Sequence, residues 1–254
     1  MSQAARYSSS WATSALLVVA LALTLTLNTG CGSTWHASFD SHGVGKDQYW
    51  TVQAKGKAKA VVVLLHGLGP NSGEQLEPWQ THLAERGYDV VFPRYEQPPP
   101  DQNARNNIVG SVGRALGDLG RPKVPLVLLG HSRGGRLAVE AAAFLKPRLV
   151  IAFYPGLINP SFEPATNFKL IPPTTDIWLF VGDKDRSVGN TGALEMDRRL
   201  LAFGFPGKRI HGAVIHSKGF TADHMSVYDL SPAAKRAIWD RTDRLIEQAT
   251  GNQS

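Results

Sequence analysis

Six consecutive residues at 60–65 (AVVVLL) are all aliphatic, and a strand with one face in water is not written that way. A half-exposed strand alternates apolar and polar side chains, whereas a strand covered on both faces reads as an unbroken apolar run. Comparable runs recur at residues 88–92 (YDVVF), 124–129 (VPLVLL), 149–153 (LVIAF), 176–181 (DIWLFV) and 209–215 (RIHGAVI). Segments with helical spacing separate several of them: 74–86, closed by Gly87, then 103–119 and the Ala-rich 136–145. A terminal helix is expected over 231–248, where Ser231 supplies the cap and Pro232 sits in the first turn. Residues 48–53 (QYWTVQ) alternate instead and read as one or two antiparallel edge strands. Strands and helices alternating at this spacing predict a doubly wound, mostly parallel α/β sheet with helices on both faces.

The chain begins in a different style. Arg6 is the only charged side chain before Asp40, and residues 11–27 (WATSALLVVALALTLTL) form an apolar run followed by Asn28, Thr29 and Gly30. That is the order of charged, apolar and cleavage regions in an export signal. The run of 17 residues falls short of the ~20 that span a hydrocarbon core, and it lacks the polar stripe of a packed surface helix. Cys31 follows at once and is the sole cysteine, which excludes a disulfide framework, an iron–sulfur cluster and a multi-cysteine zinc site. The sequence N-T-G-C-G-S around it resembles the lipobox of bacterial lipoproteins. That resemblance implies lipidation of Cys31, attachment to a membrane through the lipid, and an extracytoplasmic place in the cell envelope. Asn28 departs from the pattern, which prefers an apolar residue there; a cleaved secretory signal and an uncleaved single anchor are the alternatives, and all three place the rest of the chain outside the cytosol. Lys and Arg number 27 against 21 Asp and Glu, a net charge of +6, but the charges are scattered, so no nucleic-acid partner is expected.

The chemistry concentrates where strands end. Residues 130–135, Gly-His-Ser-Arg-Gly-Gly, lie between the strand at 124–129 and the helix at 136–145. In that context G-x-S-x-G is a nucleophile elbow, with Ser132 on a tight, strained turn. Gly130 and Gly134 then have a mechanical reason, because side chains there would strike a neighbouring strand or helix as the turn tightens. Capping of the helix by the Ser132 hydroxyl alone would not require them. Serine is a poor nucleophile at its free pKa and needs a base, which in turn needs an orienting acid. Both are available downstream: 182–188 (GDKDRSV) follows the strand at 176–181, and Ala222-Asp223-His224-Met225 precedes the last helix. The order Ser, Asp, His is the one used when this elbow sits on an α/β sheet. Spacing alone leaves the acid open between Asp183 and Asp185, and the base between His224 and His216, with His211 inside a strand. The eight His residues lack the H-x-x-x-H spacing that puts two ligands on one helix face, so neither a metal nor another cofactor is expected.

On these residues the chain, from about 58 to 249, resembles the α/β-hydrolase superfamily of serine hydrolases. The family's G-x-x-D-x-x-V pattern matches Gly182, Asp185 and Val188, which implies Asp185 as the acid and leaves Asp183 as a turn residue. The base belongs to the loop after the last strand, which implies His224. His66-Gly67-Leu68-Gly69 resembles the family's H-G-x-G turn and implies an oxyanion hole built from the amides of Leu68 and Arg133. His66 and His131 are structural on this reading. Only 22 residues, 154–175, separate the strands at 149–153 and 176–181, where lipases and epoxide hydrolases of the superfamily often insert a lid, so an open site without a sizeable cap is expected. Phe153-Tyr154-Pro155-Gly156 is similar to the matching strand end of dienelactone-hydrolase-like members, which commonly carry Cys in place of Ser132. Tyr154 either lines an acyl pocket or packs in the core, and the Arg133 side chain either attracts an anionic substrate or is solvated on the surface. The resemblance implies a serine esterase that acts on a small or surface-presented ester through an acyl-enzyme. An amidase, peptidase or thioesterase using the same triad, or a catalytically idle envelope scaffold, are the alternatives. The expected organisation is a signal at 1–30, a linker with edge strands at 31–57, and a catalytic domain at 58–254.

Overall fold

The computed structural model describes residues 35–69, 76–97, 99–157 and 164–251; the expected signal and Cys31 lie outside the described residues. Eight strands form one sheet in the order β1-β2-β4-β3-β5-β6-β7-β8. The edge strands β1 (Asp40–His42) and β2 (Tyr49–Val52) run antiparallel to each other, and β2 antiparallel to β4 (Tyr88–Pro93). All other neighbours are parallel: β3 (Ala60–Leu65) between β4 and β5 (Leu126–His131), then β6 (Leu149–Phe153), β7 (Asp176–Gly182) and β8 (Ile210–Ile215). The chain leaves β3 towards β4 on one side and returns to β5 on the other. The carboxyl ends of β3 and β5 therefore border the crevice at which the winding reverses, the place where open α/β sheets put their sites.

Period-2 alternation splits β3 between two cores. Val61, Val63 and Leu65 pack with Ile108 and Val112 of α2 (Ala104–Asp118), Leu137 and Ala141 of α3 (Arg133–Leu145), and Met196 and Leu200 of α4 (Thr191–Ala202). Val62 and Leu64 pack on the opposite face with Trp79 and Leu83 of α1 (Glu77–Glu85) and Ile238 and Ile246 of α5 (Pro232–Gly251). The aliphatic run is continuous because both of its faces are interior. Ser231 caps α5, its Oγ accepting the Ala234 amide at 3.3 Å.

Two boundaries differ from the sequence reading. The expected strand 124–129 and helix 136–145 leave six residues for the elbow, yet β5 runs on through His131 and α3 begins at Arg133. Gly130 and His131 pair with Ala152 and Phe153 of β6, so the glycines serve clearance between backbones rather than chain reversal. The sequence reading also has no helix over 191–202, where Ala193, Met196 and Leu200 make an apolar stripe only three residues long. Between β6 and β7 the described residues hold just a short 3-10 turn, Phe168–Leu170, and no large cap is evident.

Candidate active site

Ser132 is the single residue between β5 and α3, at φ +53° and ψ −121°, a conformation that costs a residue with a side chain on the order of 1–3 kcal/mol. Surrounding contacts impose it. The Ser132 amide donates to the Phe153 carbonyl at 2.9 Å, and its own carbonyl accepts from the amides of Gly156 at 2.9 Å and Arg136 at 3.1 Å. A Cβ on Gly130 would lie 2.3 Å from the Gly134 carbonyl oxygen, and one on Gly134 would lie 2.2 Å from that of His66. Alanine at either position would push the elbow off the sheet.

The loops after β7 and β8 bring the expected acid and base to that serine. His224 Nε2 lies 2.9 Å from Ser132 Oγ, and His224 Nδ1 lies 2.9 Å from Asp185 Oδ2. The other carboxylate oxygen of Asp185 accepts the amides of Ser187 at 2.8 Å and Val188 at 3.2 Å. Burial pushes the Asp185 carboxyl up, but the hydrogen bonds from His224, Val188 and Ser187 outweigh it and hold the group below the usual carboxylate range. Asp185 therefore stays charged, and the charge fixes the ring with Nδ1 as donor and Nε2 free to accept from the serine.

Asp183 takes a different partner. Its carboxylate accepts the Ser217 hydroxyl at 2.6 Å and the Ser217 amide at 3.0 Å, while Ser217 Oγ accepts the Ala222 amide at 3.0 Å. These bonds close the turn that leads into His224. His216 faces solvent, 3.6 Å from Asp183. His211 stays in β8, stacked on Trp178.

The H-G-x-G turn abuts the elbow: a Cβ on Gly67 would lie 3.4 Å from Ser132 Cβ. His66 Nδ1 approaches the Gly67 carbonyl oxygen at 2.6 Å and Nε2 approaches that of Arg94 at 2.8 Å. In a trans peptide the N–H points opposite to the preceding C=O. With the Gly67 carbonyl turned to the His66 ring, the Leu68 amide faces away from that ring. Burial outweighs the two backbone contacts and pushes His66 down to about 4, so near pH 7 the ring is neutral and its single N–H serves only one of the two carbonyls. The second expected donor, the Arg133 amide, is at the amino end of α3, where the helix dipole adds positive potential.

The Arg133 side chain corrects both expectations. It neither lies in solvent nor presents its charge to the mouth: its side chain is 11% exposed, its guanidinium pairs with the buried Glu96 carboxylate at 2.9 Å, and it donates to the Asp101 carbonyl at 2.8 Å. Glu96 sits in the loop after β4, and no spacing rule connects it to the elbow. Tyr154 belongs to the core rather than to an acyl pocket; it is fully buried, its hydroxyl 2.7 Å from Ser226 Oγ. Sequence reasoning also missed Tyr228, whose hydroxyl lies 3.3 Å from His131 Nδ1. Among the described residues no group of three or more His, Cys, Asp or Glu is placed to hold a metal, and no helix is long and apolar enough to cross a membrane.

Residues 62–249 match the profile of the Alpha/beta hydrolase family. Comparison with curated proteins gives no match. Among solved structures, carboxyl esterase 2 of the mycorrhizal fungus Tuber melanosporum is similar at TM-score 0.63 and 16% identity, covering 88% of this chain and 89% of its own. An esterase of Rhizomucor miehei gives TM-score 0.63 at 15% identity, covering 86% of each chain. A Klebsiella pneumoniae protein assigned as a dienelactone hydrolase gives 0.59 at 17%, covering 83% of this chain and 99% of its own. At these identities the likeness is one of fold.

Proposed function

The chain belongs to the α/β-hydrolase family, and from that premise we propose that it is a serine hydrolase of carboxylic esters. The observation that carries the reading is the His224 ring, with one nitrogen 2.9 Å from Ser132 Oγ and the other 2.9 Å from the buried carboxylate of Asp185. Ser132 Oγ attacks the ester carbonyl carbon while His224 Nε2 takes its proton. The imidazolium returns that proton to the alkoxide oxygen as the carbon–oxygen bond breaks, leaving an acyl-serine and a free alcohol. Water then repeats the sequence, with His224 again as base, and releases the acid. The amides of Leu68 and Arg133 stabilise the tetrahedral oxyanion.

The rim supports an apolar acyl group. Gly156 and His224 each hydrogen-bond Ser132 and Gly67 lies beside it, and the residue after each is an exposed apolar side chain: Leu68 at 60%, Leu157 at 52% and Met225 at 58%. The Arg133 charge is already engaged by Glu96 and so exerts little pull on a carboxylate-bearing substrate. We further propose that Cys31 carries a lipid and tethers the domain outside the cytoplasm; the sequence N-T-G-C-G-S supports this, and intact-mass analysis of envelope-extracted protein tests it, an unmodified cysteine ending the idea.

The mature domain should hydrolyse p-nitrophenyl butyrate faster than the matching anilide, and a fluorophosphonate should label Ser132. Ser132→Ala should lose about 10³-fold or more in kcat, together with all labelling. Turnover retained in that variant overturns the triad, and an anilide cleaved as readily as the ester overturns the substrate class.

A further inference from the structure

The loop that carries His224 holds two further polar side chains aimed inward. Ser226 takes the Tyr154 hydroxyl, and Tyr228, in the short turn Ser226–Tyr228, reaches His131, the residue before the nucleophile. His131 is 4% exposed, and its ring centroid lies 4.9 Å from that of His224 and 5.3 Å from that of Tyr228. Its Nε2 lies 2.7 Å from the His224 carbonyl oxygen. A carbonyl only accepts, so His131 Nε2 carries the hydrogen. A neutral ring then presents Nδ1 as an acceptor, and the group facing Nδ1 at 3.3 Å is the Tyr228 hydroxyl. The Gly67 turn closes over the same nitrogen: a Cβ on Gly67 would lie 3.0 Å from His131 Nδ1. One arrangement of protons satisfies both bonds: Tyr228 O–H to His131 Nδ1, and His131 Nε2–H to the His224 carbonyl.

We propose that His131 and Tyr228 are positioning residues that clamp the His224 loop to both the nucleophile elbow and the Gly67-Leu68 turn. The inference rests on the triad and oxyanion roles proposed above. The bonded pair lies against the Gly67 backbone, one residue before the expected oxyanion donor, and ends on the backbone of the expected base. Each half of the machinery is thereby referred to the elbow from which Ser132 projects, a separation that must hold to within about half an ångström for efficient catalysis. Burial pushes His131 down to about 3, with the neighbouring His224 charge adding to the effect. The ring therefore keeps its single-proton form wherever the enzyme is folded, and the direction of the bonds does not reverse with pH. His131 is unsuited to be the base itself, since its Nε2 is occupied by the His224 carbonyl.

The test uses the whole chain and two lesions of the same link. Tyr228→Phe deletes the hydroxyl with little change in volume. His131→Gln retains a donor at the Nε2 position for the His224 carbonyl but loses the acceptor for Tyr228. Each should lower kcat for p-nitrophenyl butyrate by about tenfold with KM within about twofold, because the groups act on the geometry of the transition state rather than on substrate binding. The second-order rate of fluorophosphonate labelling at Ser132 should fall in parallel. The double variant should be within about twofold of the worse single variant, since both break one link. Urea unfolding, run on the same samples, establishes that each is folded. Wild-type kcat in Tyr228→Phe, a loss confined to KM, or single effects that multiply would overturn the clamp. If the wild-type chain is not labelled at Ser132 the triad reading fails; if it is labelled and both variants label at its rate, only the clamp fails.

Discussion

Two Asp–His pairs sit on the same two loops, and only one of them reaches Ser132. Asp185 and His224 meet at 2.9 Å with side chains 0% and 15% exposed, whereas Asp183 and His216 stand 3.6 Å apart at 27% and 76%. Both acids follow β7 and both histidines follow β8, so strand position does not separate them. What differs is the second partner. Asp185 spends its remaining oxygen on the Ser187 and Val188 amides, which turns the carboxylate inward, while Asp183 spends both oxygens on Ser217. On the proposed reading the first pair is an acid–base relay held in low dielectric, and the second is a clasp on the loop that presents it.

The sharpest way to break that contrast is to neutralise each acid without changing its shape. Asp185→Asn removes the charge that holds His224 in the Nδ1–H tautomer and should lower kcat by roughly 10³- to 10⁴-fold, read from initial rates on p-nitrophenyl butyrate. A loss below about tenfold would move the acid elsewhere, with Asp183 as the obvious substitute.

This contrast also marks what the sequence could express. The parallel sheet was legible from residues 60–65 because burial on both faces leaves a compositional trace over several positions. Ser132 was legible because the elbow demands glycines at fixed offsets, and the 2.3 Å and 2.2 Å that a Cβ would have at Gly130 and Gly134 are that demand in ångströms. The choice of Asp185 over Asp183 came from resemblance to a family pattern, since two residues apart on one turn they are equivalent by spacing. Glu96 and Tyr228 left no trace at all. They act from loops whose conformation follows from tertiary contacts, and one buried polar residue has no period to betray it. Helix α4 fell between these cases, its stripe of Ala193, Met196 and Leu200 too short to stand out.

The two buried histidines His66 and His131 should show in a titration of stability. Burial lowers His66 to about 4 and His131 to about 3 from the ordinary 6.5. His66 stacks on Tyr95 and feels the positive charge of Arg94 and Arg133; His131 is surrounded by His224, Tyr154, Tyr228 and, further off, the Asp185 charge. Between about pH 6.5 and 4 the unfolded chain binds a proton at each ring that the folded chain refuses. Stability from these two groups is therefore complete above about pH 6.5 and falls on acidification, by about 1.4 kcal/mol per pH unit for each. Urea unfolding at pH 7, 6 and 5 measures it, and His131→Gln should remove one proton's share of the slope. A slope unchanged in that variant would show that His131 titrates normally in the fold.

The clasp should respond far more weakly than the relay. Asp183→Asn keeps one acceptor for Ser217 and gives up only solvent-reached hydrogen bonds, so kcat should fall by no more than about tenfold. Any loss should appear as a slower approach to the competent loop, visible as weaker protection of the Ser217 and Ala222 amides in hydrogen exchange, rather than as a changed acid limb in the pH–rate profile. A loss matching that of Asp185→Asn would mean that the clasp orients His224 as strictly as the buried acid does.

His216→Ala is the smallest expected effect and the most discriminating. His216 is a histidine beside an aspartate on a loop adjoining the site, which by composition is as good a base as His224, and it differs only in where it points. Its ring is mostly in water and 3.6 Å from a carboxylate already saturated by Ser217. An exposed contact of this kind contributes little to stability, and the ring has no route to Ser132 Oγ, whose approach is filled by His224 Nε2. Kcat and KM should both remain within about twofold of wild type, the range expected for a surface substitution away from a site. A dead His216→Ala beside an active His224→Ala would exchange the roles of the two pairs, and with them the meaning of every hydrogen bond that distinguishes one loop pairing from the other.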